Sequence, residues 1–148
     1  MIEYRVFGAP RLFPASVFAA LGQEAARTLR WRRARVVGVR WVDLEAMRRL
    51  NRAYRGYDRP TDVLSFTAEP SPDAQETASY LGDLVICPEY AEAEAARRGI
   101  PTREELLRLL IHGTLHLAGY DHARPTEEKR MFALQEACLE RTVCRLRS

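Results

Sequence analysis

The chain has 148 residues, of which 47% are hydrophobic and 29% charged, with a formal net charge of +3. This length suits one domain, read as residues 1–148, with a core of its own, and the composition is ordinary for a globular protein. No apolar run has the length of a membrane span, because Arg108, His112 and His116 interrupt the longest one.

Taken in order, Ile2, Tyr4 and Val6 alternate as in a strand over 2–7. Pro14–Trp31 reads as a helix, with Val17, Phe18, Leu21, Ala25 and Leu29 near helical spacing. The apolar stretch Phe13–Leu21 follows Glu3 and has no clean cleavage site, so a secretory signal is not expected. Ala34–Val42 is a second strand. Asp43 then supplies an N-cap for a helix to about Arg55, with Leu44, Met47, Leu50 and Tyr54 as its core stripe. Arg48, Arg52 and Arg55 share another face of that helix.

Gly56–Pro60 reads as a turn and Thr61–Thr67 as a third strand. Ala68–Tyr80, rich in Pro, Ser, Glu and Asp, reads as one long irregular loop, the sort of segment that serves as a lid or binding loop. Leu81–Cys87 is a fourth strand, and its unbroken Leu84-Val85-Ile86-Cys87 run predicts a central place in the sheet. Pro88–Arg98 is an alanine-rich helix ended by Gly99. Thr102 with Glu105 predicts a capping box for a nearly all-apolar, buried helix. A last helix starts at Thr126 and runs to about Arg145. The order β-α-β-α-β-β-α-α-α predicts an α+β or α/β sandwich. We take the α+β form: a small mixed sheet of about four strands packed with about five helices, whose central helix is metzincin-like and carries the candidate metal ligands.

Those ligands are His112, His116 and His122, the only histidines in the chain. His112 and His116 stand four apart on one helix face, and Gly119 ends the helix with a turn that lets His122 swing round. Three protein ligands with one open position describe a catalytic zinc site. The spacing His-x-x-x-His-x-x-Gly-x-x-His is that of metzincin proteases, but the position of their general base is Gly113. Cys87, Cys138 and Cys144 have no C-x-x-C spacing and read as buried thiols in a reducing cytoplasm.

Charge is unevenly distributed. Residues 1–59 hold 13 Arg against 5 acids, and residues 60–140 hold 7 basic against 15 acidic side chains. Such asymmetry marks a surface for a polyanion, although a content of 22 Arg to one Lys has other sources too.

The segment His112–His122 is similar to the signature of the YbeY family of bacterial rRNA-processing endoribonucleases. So are Leu50-Asn51-x-x-Tyr54-Arg55, Asp58-x-Pro60-Thr61-Asp62-Val63-Leu64-Ser65-Phe66 and Leu81-Gly82-Asp83-Leu84-Val85-Ile86, in the family's order. Thr67 departs from the proline that the family commonly has there. The resemblance implies a zinc-dependent, single-strand-specific endoribonuclease acting in 16S rRNA 3′-end maturation and ribosome quality control. It implies one Zn2+ ion on His112, His116 and His122, with Arg55 and His112 as catalytic residues. The partners expected are single-stranded rRNA and the small ribosomal subunit, in the cytoplasm, with no membrane and no DNA. Asp121 is read either as a group that orients a ligand or takes a proton, or as a turn residue. Tyr120 reads as packing, and Asp62 and Asp83 as structural hydrogen-bond acceptors. The competing readings are a metzincin-like metalloprotease and a non-catalytic, zinc-stabilised ribosome assembly factor.

Overall fold

The computed structural model describes residues 1–7, 13–68 and 79–147. Four strands, β1 (Ile2–Phe7), β2 (Arg35–Trp41), β3 (Val63–Thr67) and β4 (Ser79–Ile86), form a sheet in the order β1-β2-β4-β3. β1, β2 and β4 are parallel, and β3 runs antiparallel to β4 along the edge. Among the described residues five helices join the sheet in an α+β fold: α1 (Ala15–Leu29), α2 (Leu44–Arg55), α3 (Pro88–Arg98), α4 (Thr102–Leu117) and α5 (Pro125–Arg147). None is long and apolar enough to cross a membrane.

β4 is central, as its apolar run predicts. Leu84 and Ile86 join the main core with Val37, Val39, Trp41 and the inward residues of α1, α4 and α5. Val85 and Cys87 point the other way, into a small second cluster with Met47 and Leu64. The strand is therefore buried on both faces, which is why its sequence shows no alternation. α4 and α2 consequently lie on opposite faces of the sheet.

Gly113 sets how closely α4 approaches β4. A Cβ on that residue would lie 2.6 Å from Leu84 Cδ2, well inside contact distance. The helix is also pinned from β1. Thr114 Oγ1 donates to the Leu110 carbonyl (2.7 Å) and accepts from the buried Tyr4 hydroxyl (2.8 Å). Between the two flanking helices, buried Glu24 of α1 accepts hydrogen bonds from Arg145 (2.8 and 3.0 Å) and Arg141 (3.2 Å) of α5.

Four local expectations change. The core stripe of α2 is Met47 and Asn51, with Leu50 partly buried against the same cluster; Leu44 and Tyr54, at the two ends of the helix, are 38% and 67% exposed. Thr102 is the first helical residue of α4, behind an N-cap at Pro101, so no capping box forms. Glu105 instead accepts from Arg98 at 2.8 Å. β4 begins at Ser79, so the long loop is shorter than read, and residues 69–78 of it lie outside the described residues. Cys87 and Cys138 are buried thiols, whereas Cys144 is exposed.

Glu24 yields a stability prediction. Burial alone would raise its carboxyl pKa, but hydrogen bonds and charge from Arg145, with Arg27 and Arg141, hold it below the ordinary 4.5. Stabilisation from a depressed carboxylate is present above the unfolded value and lost as pH falls through the folded one. Glu24→Gln should therefore lower stability by about 1–3 kcal/mol at neutral pH, the scale of charged hydrogen bonds removed from a partly buried site. The deficit should shrink on acidification below pH 4.5. Urea denaturation of both proteins at several pH values measures this.

Candidate metal centre

The centre is built on the exposed flank of a buried helix. α4 buries Leu106, Leu107, Leu109, Leu110, Ile111 and Leu115, which leaves half-buried His112 and His116 one turn apart on the remaining face. The helix ends at Leu117, and Gly119 adopts φ +98°, a conformation costly for any residue with a Cβ. The chain thereby reverses and brings His122 over the same spot. Ligand atoms of the three histidines lie within 4.8 Å of one another. The His122 ring stands 5.1 Å from that of His116 and 6.0 Å from that of His112, centroid to centroid. Asp121 accepts the His122 backbone N–H at 2.7 Å, a contact in keeping with the turn role, one of the two read for it.

The tautomers follow from the partners. His116 Nδ1 faces the Tyr120 carbonyl at 3.1 Å, a pure acceptor, so Nδ1 carries the proton. His112 Nδ1 lies 2.7 Å from Gln135 Oε1. The Gln135 amide orientation is itself fixed, since its Nε2 donates to Glu136 Oε2 at 3.1 Å. Glu136 in turn takes two 3.0 Å bonds from Arg108, one turn below His112. Both histidines thus hold their protons on Nδ1, and their Nε2 lone pairs face each other at 3.0 Å. Two lone pairs so placed can share one cation. The spacing is close to the ~3.3 Å between two nitrogens each ~2.0–2.1 Å from one tetrahedral zinc ion. Burial, reinforced by the His112 and His122 rings, pushes the His116 pKa below its ordinary 6.5 and keeps it neutral, the form a metal requires. The donor set fits a divalent ion of the zinc type.

Gly113, in the slot where a metzincin carries its glutamate, faces Leu84 in the core and not the histidines. Arg55, the other candidate catalytic residue, is exposed at the end of α2. No hydrogen bond or ion pair ties it to the histidines among the described residues. Tyr54 packs edge-on against Phe66 at 4.9 Å, which places the end of α2 beside edge strand β3. The buried Asn51 steadies the following turn by donating to the Arg59 carbonyl at 2.8 Å. The basic face of α2 is smaller than its spacing implies. Arg48 is taken up by Glu45 (2.6 Å) and Asp58, and its hydrogen bond lowers the Glu45 pKa to about 2. Asp62 accepts the Val63 N–H at 2.7 Å, and Asp83 accepts from the Tyr80 hydroxyl, so both are structural acceptors as read.

Gln135 was missed. Its signal is one large polar side chain on the inward stripe Met131, Gln135, Cys138, Leu139, Thr142 of an amphipathic helix.

Fold and site together define an α+β protein with a three-histidine centre suited to one metal ion. Residues 15–143 match the family model described as Endoribonuclease YbeY, and the chain belongs to the YbeY family. It is 49% identical over 108 residues to Endoribonuclease YbeY of Mycolicibacterium smegmatis, covering 69% of this chain and 61% of that protein. The Mycobacterium tuberculosis relative is 50% identical over the same share of both chains. The relative from Sulfurihydrogenibium sp. is 44% identical over 115 residues, 74% of this chain and 72% of its own. The matched stretch thus spans about three fifths of the mycobacterial proteins. The solution structure of TM1509 from Thermotoga maritima superposes with a TM-score of 0.67 at 30% identity, over 98% of this chain and 92% of that one.

Gln135→Leu is expected to leave the fold intact and to weaken zinc binding by roughly 10–100-fold, the usual effect of losing a partner that orients a ligand. Competition against a chromophoric chelator measures this. Unchanged affinity would remove Gln135 from the centre.

Proposed function

We propose that this chain is a zinc-dependent, single-strand-specific endoribonuclease that acts in 16S rRNA 3′-end maturation and ribosome quality control. The carrying observation is the pair of Nε2 lone pairs converging at 3.0 Å, with His122 alongside, in a chain whose relatives are named endoribonucleases. Its partners are single-stranded rRNA and the small ribosomal subunit, and its place is the cytoplasm.

His112, His116 and His122 would hold one zinc ion, which supplies a water of lowered pKa and polarises a phosphoryl oxygen. The rest falls to the chain. Gln135 and the Tyr120 carbonyl keep the two imidazoles aimed inward by holding their Nδ1 protons. Arg55, without an acidic partner among the described residues, is taken as the phosphate clamp: its planar fork binds two oxygens and offsets charge that builds as the bond breaks. α2 and α4 lie on opposite faces, so an RNA strand that engages both Arg55 and the histidines passes the β3 edge. The protease reading is disfavoured by Gly113, whose packing against Leu84 leaves no room at that position for the glutamate a metzincin carries there.

Removal of metal by a chelator should abolish cleavage of a single-stranded RNA, and one equivalent of zinc should restore it. Arg55→Lys keeps the charge and loses the fork. Single-turnover cleavage should fall by roughly a hundredfold or more, the scale of one transition-state donor. Zinc content should not change, and RNA affinity should drop far less than the rate. A near-normal rate would take Arg55 out of the mechanism, and cleavage by the metal-free protein would overturn the reading as a whole.

A further inference from the structure

Beside the histidines lies a cavity of about 300 Å³ lined by His112, His122, Glu128, Met131, Phe132 and Gln135. The last four are spaced as one face of α5, and Gln135 ties that face to the metal centre through its 2.7 Å bond to His112. The size is at the lower end of ligand pockets, ~300–1,000 Å³. By comparison, the larger cavity of about 560 Å³ between β1 and α1 is lined mostly by apolar residues and holds no histidine.

Two of the α5 side chains in the cavity are left open to solvent. Phe132 is 61% exposed, whereas its neighbour Met131 is buried at 2% in the core. An aromatic ring left open on the rim of a metal centre offers a flat apolar face next to the place of reaction. Glu128, one turn away, is exposed and has no ion pair among the described residues. Its carboxylate repels phosphate and only accepts hydrogen bonds, so its partner is a donor; on an RNA strand the donors are ribose hydroxyls and base N–H groups, and for a base lying on Phe132 the N–H groups of its edge are the ones brought to Glu128. A ring that stacks and an edge that donates are together the description of a nucleobase.

We propose that this cavity is a nucleobase subsite, in which a base of single-stranded RNA next to the scissile phosphate stacks on Phe132 and donates its amino edge to Glu128. The proposal rests on the endoribonuclease reading and deepens it by naming what the enzyme selects beside the cut. Stacking on an aromatic ring accepts any base. The carboxylate adds a preference: cytosine, adenine and guanine carry an exocyclic amino group, whereas the Watson–Crick edge of uracil has one N–H between two carbonyls. Bases with an amino group should therefore be favoured over uracil at one position beside the cut.

The test uses the zinc-loaded protein and single-stranded RNAs that differ only at the bases flanking the cut. Phe132→Ala should weaken binding by roughly ten- to a hundredfold, the span of base–aromatic stacking. Phe132→Trp should restore it, and zinc content should be unchanged in both. Glu128→Gln should remove the discrimination against uracil, with the RNAs that carry an amino group falling toward the uracil RNA and the uracil RNA little changed. A 2-aminopurine at the selected position should be quenched on binding to the wild type and not to Phe132→Ala, a readout that needs no cleavage. If the wild type quenches but cuts no RNA, the nuclease reading fails while the base subsite stands. If the wild type cuts but Phe132→Ala binds and quenches normally, the subsite is wrong. A Phe132→Ala loss that Trp does not rescue, or a Glu128→Gln loss equal for all four bases, also overturns it: the first would mean packing, the second a part in the reaction itself.

Discussion

The close seat of α4 on β4 is the constraint on which the rest depends. Gly113 permits it, since any side chain there would run into Leu84, itself fully buried at the centre of the core. With that face of the helix against the sheet, His112 and His116 on either side of Gly113 have only the flank toward α5 left to them. The fold thus spends a glycine where related metal motifs place a base, and the histidines are held by a helix that cannot roll without opening the core. The Tyr4–Thr114 bond, reaching from the first strand to the turn between the two histidines, acts in the same sense.

The second support comes from α5. Arg108, Glu136 and Gln135 form a hydrogen-bonded chain that ends on His112 Nδ1, and it crosses between two helices that also share the core. Every link has a defined donor and acceptor, so the imidazole has one tautomer. His116 gets the same treatment from the Tyr120 carbonyl, at no cost in side chains, because the turn at Gly119 brings that carbonyl back under the ring. Pre-orientation of this kind separates a site that binds metal tightly from three histidines that merely lie near one another.

What the sequence made legible was local. His112, His116, Gly119 and His122 fall within eleven residues, where helical spacing and one positive-φ turn suffice to predict convergence. β4 announced itself by a short apolar run of the kind a strand covered on both faces carries. Gln135 is 23 residues from His112, and nothing in local spacing relates them. The capping box at Thr102 failed because Glu105 had a better partner in Arg98, a choice that depends on how α3 turns into α4. Leu44 and Tyr54 obey helical periodicity, yet they stand at the two ends of α2 and stay exposed, Tyr54 with one ring contact among the described residues, to Phe66. Arg48 illustrates the limit for charge: a count of arginines cannot tell a free guanidinium from one already held by Glu45 and Asp58.

The central claim is that three imidazoles share one metal with a fourth position open to solvent or substrate. Zinc-edge X-ray absorption of the purified, zinc-loaded protein tests it most directly, because multiple scattering counts imidazole rings. The account predicts three imidazole nitrogens at ~2.0–2.1 Å and one further oxygen, with no sulfur. Two imidazoles, or a thiolate scatterer at ~2.3 Å, would contradict it.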